Sequence, residues 1–276
     1  MITWIASYPK SGNTWVRSFL CSYFSNPNQN FDFKLLKNIP TFPHHYELNL
    51  LKKKYDNFDF NNVASNWDNF QKILIKKKIK IVKTHNALVN FKSYDFTNLK
   101  NTIGVIHIVR DPRDVLVSYS HHQNTSHEDI LQKMKSMNNF EKTNDFKDRT
   151  LLTSWNNHYN SWRSFPKNNL LIKYEDLSKD PLKYFTNIVK HLNQIYGSKI
   201  DNKRIEESIE QVKFENLQKV EARDTFYENP IENIDRGKNF FRKGKIGQWR
   251  EDLSKETLTK IENEFSKEMR EIGYIN

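Results

Sequence analysis

One cysteine, Cys21, stands among 276 residues. That excludes an internal disulfide framework and a cysteine-based zinc site, and it fits a reducing compartment. Seven glycines and eight prolines are too few for a fibrous or low-complexity chain. No apolar run approaches the roughly 18–20 residues that span a bilayer. The opening Met-Ile-Thr-Trp-Ile-Ala-Ser lacks the basic lead and long apolar stretch of a secretory signal, so a cytoplasmic location is expected. No repeat and no Gly/Ser/Pro-rich linker divides the chain, so a single domain over residues 1–276 is expected.

What is present suits a packed enzyme-sized core: 37% hydrophobic and 13% aromatic residues. Lys and Arg outnumber Asp and Glu by 44 to 33, a formal charge of +11. Such an excess favours nucleic acid, an anionic surface or a multiply phosphorylated small molecule. Lys, Asn and Ile are abundant along the whole chain, however, so the same excess also fits a compositional bias. Charge alone selects no partner.

Short apolar runs alternate with amphipathic segments, the pattern of an α/β protein with a central, mostly parallel sheet flanked by helices. Strands are predicted over Ile2–Ser7, Ile79–Lys83, Gly104–Val109 and Leu170–Lys173. Helices are predicted over Thr14–Ser25, Pro112–His122, Asp148–Phe165, Pro181–Asn193 and Lys203–Val212. Pro112 and Pro181 each follow an Asp that can cap a first turn. Residues 26–77 and 123–147 are polar, aromatic-dotted and weakly periodic. They read as insertions that shape a substrate pocket on a core spanning about residues 2–250, since ligands of open α/β sheets bind beyond the strand ends.

The most informative segment is Ile2-Thr-Trp-Ile-Ala-Ser-Tyr-Pro-Lys-Ser-Gly-Asn-Thr-Trp15. A strand, a tight turn and a helix place unpaired N–H groups of Ser11, Gly12, Asn13 and Thr14 at a helix N-terminus, where amides and dipole together hold an anion. Lys10 adds a mobile charge, and the Asn13 and Thr14 side chains add neutral donors. The order is not that of a Walker A loop, because the lysine precedes the glycine and no magnesium-binding hydroxyl follows it. A structural turn with a solvated lysine is the alternative.

Tyr-Pro-Lys-Ser-Gly-Asn-Thr-Trp resembles the 5′-phosphosulfate loop of the cytosolic-type sulfotransferases, which use 3′-phosphoadenosine 5′-phosphosulfate (PAPS) and release PAP. That family often has Thr where this chain has Asn13. Two further stations follow in order. The strand ending at Val109 runs into Arg110-Asp-Pro-Arg-Asp-Val-Leu-Val-Ser118, where a guanidinium fork and a hydroxyl can clamp a terminal phosphate. This resembles the family's 3′-phosphate motif, with Arg110 and Ser118 in the matching places. Phe240-Phe-Arg-Lys-Gly-Lys-Ile-Gly-Gln-Trp249 resembles the Arg-Lys-Gly-x-x-Gly-x-Trp element, which carries Arg242, Lys243 and Gly244 over as further 3′-phosphate contacts. Gln248 replaces the Asp of most members.

The resemblance also assigns His85 as general base and Lys83 as a sulfuryl-oxygen contact, from a Lys-Thr-His element after the second strand. An attacking hydroxyl must lose a proton, and imidazole titrates near neutrality. On residues alone, a surface or capped histidine fits His85 as well. His121-His122 is the rival pair, but adjacent helical residues face different ways and do not suit one metal. Trp15, Tyr174 and Phe214 match family positions near the adenine, with core packing the alternative for Trp15 and Phe214. The expected reaction is in-line sulfuryl transfer, without metal, to a hydroxyl or amine of a small-molecule acceptor, with Lys10 catalytic beside His85 and Lys83. No nucleic-acid partner and no membrane span are expected. The rivals are a P-loop-like nucleotide kinase or NTPase, and a basic nucleic-acid-binding protein. The family's C-terminal dimer motif would fall at Arg250–Thr259, where it matches poorly, so no oligomeric state is assigned.

Overall fold

The computed structural model describes residues 1–55, 57–141, 150–224, 226, 237 and 239–276. Eight strands occur among them: β1 (Ile2–Ser7), β2 (Ile81–Thr84), β3 (Asn90–Phe91), β4 (Tyr94–Asp95), β5 (Thr102–Val109), β6 (Phe140–Glu141), β7 (Thr150–Leu151) and β8 (Asn169–Lys173). Four of them form the central parallel sheet, in the order β2-β1-β5-β8. The remaining four make two short antiparallel ribbons. All six residues of β1 are buried, as a strand covered on both faces requires. Its side chains alternate accordingly: Ile5 enters one apolar cluster, while Ile2, Trp4 and Ala6 enter another. The buried Trp4 Nε1 donates to Thr102 Oγ1 at 2.8 Å, so the indole adds area without an orphaned donor.

One face is covered by α1 (Asn13–Phe24), α9 (Pro181–Tyr196) and α10 (Asn202–Gln211), which bring Phe19, Leu20, Phe185, Ile188 and Ile205 together. On the other face lie α2 (His45–Lys54), α3 (Phe60–Ala64) and α4 (Trp67–Lys76), whose Leu48, Phe60, Trp67 and Leu74 pack with Trp4 and Val82. A third cluster joins α5 (Pro112–Gln123), α6 (His127–Lys135) and α7 (Trp155–Arg163) to two C-terminal helices, Lys255–Glu264 and Ser266–Ile272. It contains Leu116, Ile130, Trp155, Phe265 and Met269.

The structure corrects several sequence expectations. Within residues 26–77, α2, α3 and α4 pack into the core. Phe60, Val63, Ala64, Trp67 and Leu74 are buried at helical spacing, a period masked by the surrounding Lys and Asn. Within 123–147, α6 buries Ile130, Leu131 and Met134. The helix expected over Asp148–Phe165 starts only at Trp155, where Ser154 caps it by accepting from Asn157 N. Thr150 and Leu151 instead pair with β6, and Asp148 and Arg149 lie outside the described residues. The core also continues past residue 250, through Ile261, Phe265 and Met269.

Candidate active site

Because the central strands run parallel, their carboxyl ends share one edge, and the residue after each strand starts there. Ser7 leads to the Tyr8–Gly12 loop, Thr84 to His85, Val109 to Arg110, and Lys173 to Tyr174, the first residue of α8 (Tyr174–Lys179).

At the first of these ends Gly12 precedes α1 with φ 97°. A Cβ at this left-handed position would lie 2.6 Å from Tyr174 Cδ2, so only glycine fits both the turn and its neighbour. The first N–H groups of α1, including those of Asn13 and Thr14, have no intrahelical acceptor. Ser11 Oγ is buried without a hydrogen-bond partner among the described residues. These donors form a nest that suits an anion. The Asn13 side chain does not join it. Its Nδ2 donates inward to Ile5 O at 3.0 Å and Ser7 Oγ at 3.1 Å, because the first residue of the helix folds back over the strand it has just left. Asn13 can serve an anion through its backbone N–H, and the expectation of a side-chain donor there is corrected.

Lys10 is partly buried, with Nζ 4.0 Å from the Phe240 ring centroid. Its ammonium is pushed down from 10.5 to about 7, first by burial and then by repulsion from Arg110, Lys83 and Arg242, with Glu221 opposing. Arg110 is 6% exposed and ties two distant loops. One amino group donates to Lys10 O and the other to Lys245 O, each at 3.0 Å. The guanidinium lies 4.4 Å from the Tyr174 ring centroid, and Arg110 Nε is buried without a partner among the described residues. Ser118 lies half-buried on α5.

The third station closes over the same point. Tyr174 OH donates to Gly244 O at 3.1 Å. Gly244 adopts φ 62°, and a Cβ there would meet Phe214 Cδ2 at 2.5 Å, so Phe214, at the start of α11 (Phe214–Arg223), lies directly against the loop. Arg242 donates to Gln248 Oε1 at 2.8 Å, and Gln248 Nε2 donates to Lys245 O at 2.9 Å. The substituted glutamine therefore still orients the arginine. Arg242 is held below its ordinary range by burial, with Arg110 adding repulsion. Lys243 is exposed. Trp15 Nε1 donates to Val212 O at 3.0 Å, and its ring meets Tyr174 and Phe185 edge-on, which pins it between the core and the site.

On the acceptor side, Lys83 is buried in β2, whose backbone also pairs with Pro40 O and Phe42 N. His85 Nδ1 lies 2.7 Å from Ser7 O. A carbonyl only accepts, so Nδ1 carries the proton and Nε2 holds the lone pair. The rival histidines diverge: His121 feels Arg242, Asp252 and Lys243, whereas His122 feels Lys10 and Lys83. The His122 ring stands edge-on to Phe240 at 5.7 Å, the ring that also carries Lys10. Burial, aided by those lysines, holds His122 neutral well below its ordinary range.

Sequence reasoning missed two carboxylates. Asp114 accepts from Gly247 N at 2.7 Å and Trp249 N at 3.2 Å. Its position one turn after Arg110 was the available signal. Glu221 accepts from Phe240 N and Phe241 N at 2.6 and 3.0 Å, and nothing in the sequence pattern marked it. Both acids bind backbone amides of the third station and so hold it over the first. Among the described residues no three His, Cys, Asp or Glu side chains gather as a metal site, and no helix is long and apolar enough to cross a membrane. The assembled donor set of amides, a buried hydroxyl, two lysines and two arginines fits a ligand carrying more than one anionic group, and the Tyr174 and Phe214 rings fit a flat base beside it.

The sequence matches the sulfotransferase domain family over residues 2–273. It is 24% identical to a flavonol 3-sulfotransferase of Flaveria bidentis over 98% of this chain and 82% of that one. An amine sulfotransferase of Oryctolagus cuniculus is also 24% identical, over 97% and 80%. A mouse sulfotransferase solved with PAP shares the fold with a TM-score of 0.62 at 20% identity, covering 97% of this chain and 84% of that one. The chain belongs to the sulfotransferase family.

Proposed function

We propose that this sulfotransferase carries a sulfuryl group from PAPS to a hydroxyl or amine of a small-molecule acceptor, with His85 as general base and no metal. The observation that carries the reading is the Arg110 guanidinium, which hydrogen-bonds to Lys10 O and Lys245 O at once. Residues 100 and 135 positions apart thereby meet at one point, and the cationic groups of three motifs surround it. PAPS carries roughly four negative charges near neutral pH, which this cluster can match. The 5′-phosphosulfate end is assigned to Lys10, Ser11, Gly12 and the amides of Asn13 and Thr14. Arg110, Ser118, Arg242, Lys243 and Gly244 are assigned to the 3′-phosphate, and Tyr174, Phe214 and Trp15 to the adenine. The names of the two relatives, one acting on a flavonol and one on amines, support a small organic acceptor.

PAPS supplies an activated sulfuryl group. The acceptor oxygen forms a bond to sulfur as the bond from sulfur to the bridging phosphate oxygen breaks, and the acceptor proton passes to His85 Nε2. The His85 Nδ1–H···Ser7 O bond keeps Nε2 in the basic tautomer. Lys10 and the loop amides offset charge gathering on the leaving phosphate, and Lys83 steadies the sulfuryl oxygens. A sulfuryl group bears less negative charge than a phosphoryl group, so positioning and fixed donors carry the barrier reduction.

The test is an acceptor screen with labelled PAPS, beside calorimetry with PAP and with magnesium-ATP. Label transfer and PAP binding are expected. Binding of magnesium-ATP with no response to PAP would overturn the reading in favour of an NTPase.

A further inference from the structure

Directly behind His85 lies a second histidine that the reaction itself does not use. His158 sits on α7 and is 1% exposed. Its Nε2 is 3.1 Å from the His85 carbonyl oxygen, so Nε2 carries a proton and donates. Burial presses its basicity down from 6.5 to about 3, which keeps the ring neutral and the donor in place at any working pH. The same ring stands edge-on to Tyr8 at 5.5 Å, interplanar angle 87°. Tyr8 is the first residue beyond β1 and opens the loop that carries Lys10, and its hydroxyl is fixed by Asn139 Nδ2 at 2.7 Å. One buried imidazole therefore touches the chain just past β1 and just past β2. One turn further along α7, Trp162 Nε1 donates to Asn86 O at 2.8 Å. The backbone of residues 85 and 86 is thus held by two donors from one helix.

We propose that His158 is a positioning residue. By donating to the His85 carbonyl while packing on Tyr8, it sets the base against the Lys10 loop at the distance that proton transfer requires. The proposal rests on the reading of His85 as base. Among the contacts that hold His85 are the Ser7 carbonyl on Nδ1 and the His158 donor on the backbone. With the His158 donor removed, the 85–86 peptide keeps Thr84 Oγ1 on Asn86 N at 3.0 Å and Trp162 Nε1 on Asn86 O but loses the contact at the His85 carbonyl, and Nε2 shifts about the Ser7 contact. Displacements on the order of 1 Å cost about 100-fold in comparable settings.

The experiment compares His158→Phe, which keeps the ring packing but cannot donate, with His158→Gln, whose amide can donate. Each is made alone and in a His85→Ala background. kcat, PAP affinity and the thermal midpoint are measured for every variant. For His158→Phe, kcat is expected to fall about 10- to 100-fold with PAP affinity within about twofold, and Gln is expected to restore most of the loss. In the His85→Ala background the Phe change is expected to have less than about a twofold further effect, since a residue acting through another is silent once that partner is gone. Should His158→Phe not fold, His158→Met takes its place. Full kcat in the non-donating variant, or an equal further loss in the His85→Ala background, overturns the positioning role. Near-normal turnover by His85→Ala alone would instead overturn the base assignment, so the two failures are distinguishable.

Discussion

With Lys10 at the donor's phosphate, as proposed, donor binding is a proton-linked event. In the free protein its ammonium is held down to about 7 by burial and by the neighbouring cations, so about half the molecules lack that charge at neutral pH. PAP brings about four negative charges, roughly two per phosphate, and an opposite charge restores the protonated form. A group whose pKa rises on binding takes up a proton, so affinity is lost as pH climbs from 7 toward the bound-state value. If Lys10 recovers its ordinary 10.5, the PAP Kd weakens about 50-fold between pH 7 and pH 9. The His121 and His122 rings, held below 6.5, do not titrate in that interval. The phosphates of PAP protonate near pH 6 and weaken binding from the other side, which puts the optimum close to neutrality. Calorimetry in two buffers of different ionisation heat reads the effect, with uptake of about half a proton at pH 7 and nearly one at pH 9. Lys10→Arg, charged throughout, should flatten the dependence. A wild-type Kd that holds within twofold from pH 7 to pH 9, with no buffer-dependent heat, refutes the reasoning.

Three further outcomes follow from the geometry. Gly12→Ala and Gly244→Ala each place a Cβ at positive φ within 2.6 Å of an aromatic ring. Each should cost about 1–3 kcal/mol and weaken PAP binding, whereas Gly197→Ala, with nothing within 4 Å of its Cβ, should leave PAP affinity unchanged. Asp114→Ala removes the acceptor of two backbone amides and should lower stability by about 3 kcal/mol, read by urea unfolding, with a weaker PAP affinity because the Arg242 loop is released. Acid should destabilise the fold through His107 and His158, both 1% exposed and both pressed from 6.5 to about 3. The unfolded chain binds protons there while the folded chain does not, so stability falls as pH drops below 6.5. The loss is about 1.6 kcal/mol per histidine between pH 6.5 and pH 5, and His107→Leu should remove one share of it.

The residues that the structure gathers at the ends of the parallel strands were legible because each stands where a local pattern changes. Lys10, Arg110 and His85 all follow apolar strands, and the Lys-Ser-Gly turn and Asp-Pro start mark helix beginnings from sequence alone. The α/β class was legible for the same reason. The residues that hold the site together were not. Glu221 acts on backbone amides 19 residues away, which no spacing announces; the spacing of Asp114 one turn after Arg110 marks the arginine but not the loop 133 residues away from whose amides it accepts. The Asn13 side chain was misjudged because a helix-start amide can face the ligand or the strand behind it, and only the packed backbone decides. The helices in residues 26–77 were hidden by polar flanks, although Phe60, Val63, Ala64, Trp67 and Leu74 kept their period.

The arrangement of charge explains why this cleft needs those distant acids. Lys10, Lys83, Arg110 and Arg242 face one region; burial first, and repulsion among these cations second, lower the basicity of Lys10 and Arg242. Neutralising them with carboxylates aimed into the cleft would fill the place of the ligand's own anions. Asp114 and Glu221 avoid this by spending their oxygens on the amides of Gly247, Trp249, Phe240 and Phe241. They lower the local positive potential from behind and fasten the third motif in the same stroke. Arg110 completes the balance by bonding to two carbonyls, which fixes the plane of its guanidinium. The cations are thereby left facing one region with their positions fixed by backbone contacts, and preorganised donors of that kind suit a ligand that carries several negative charges.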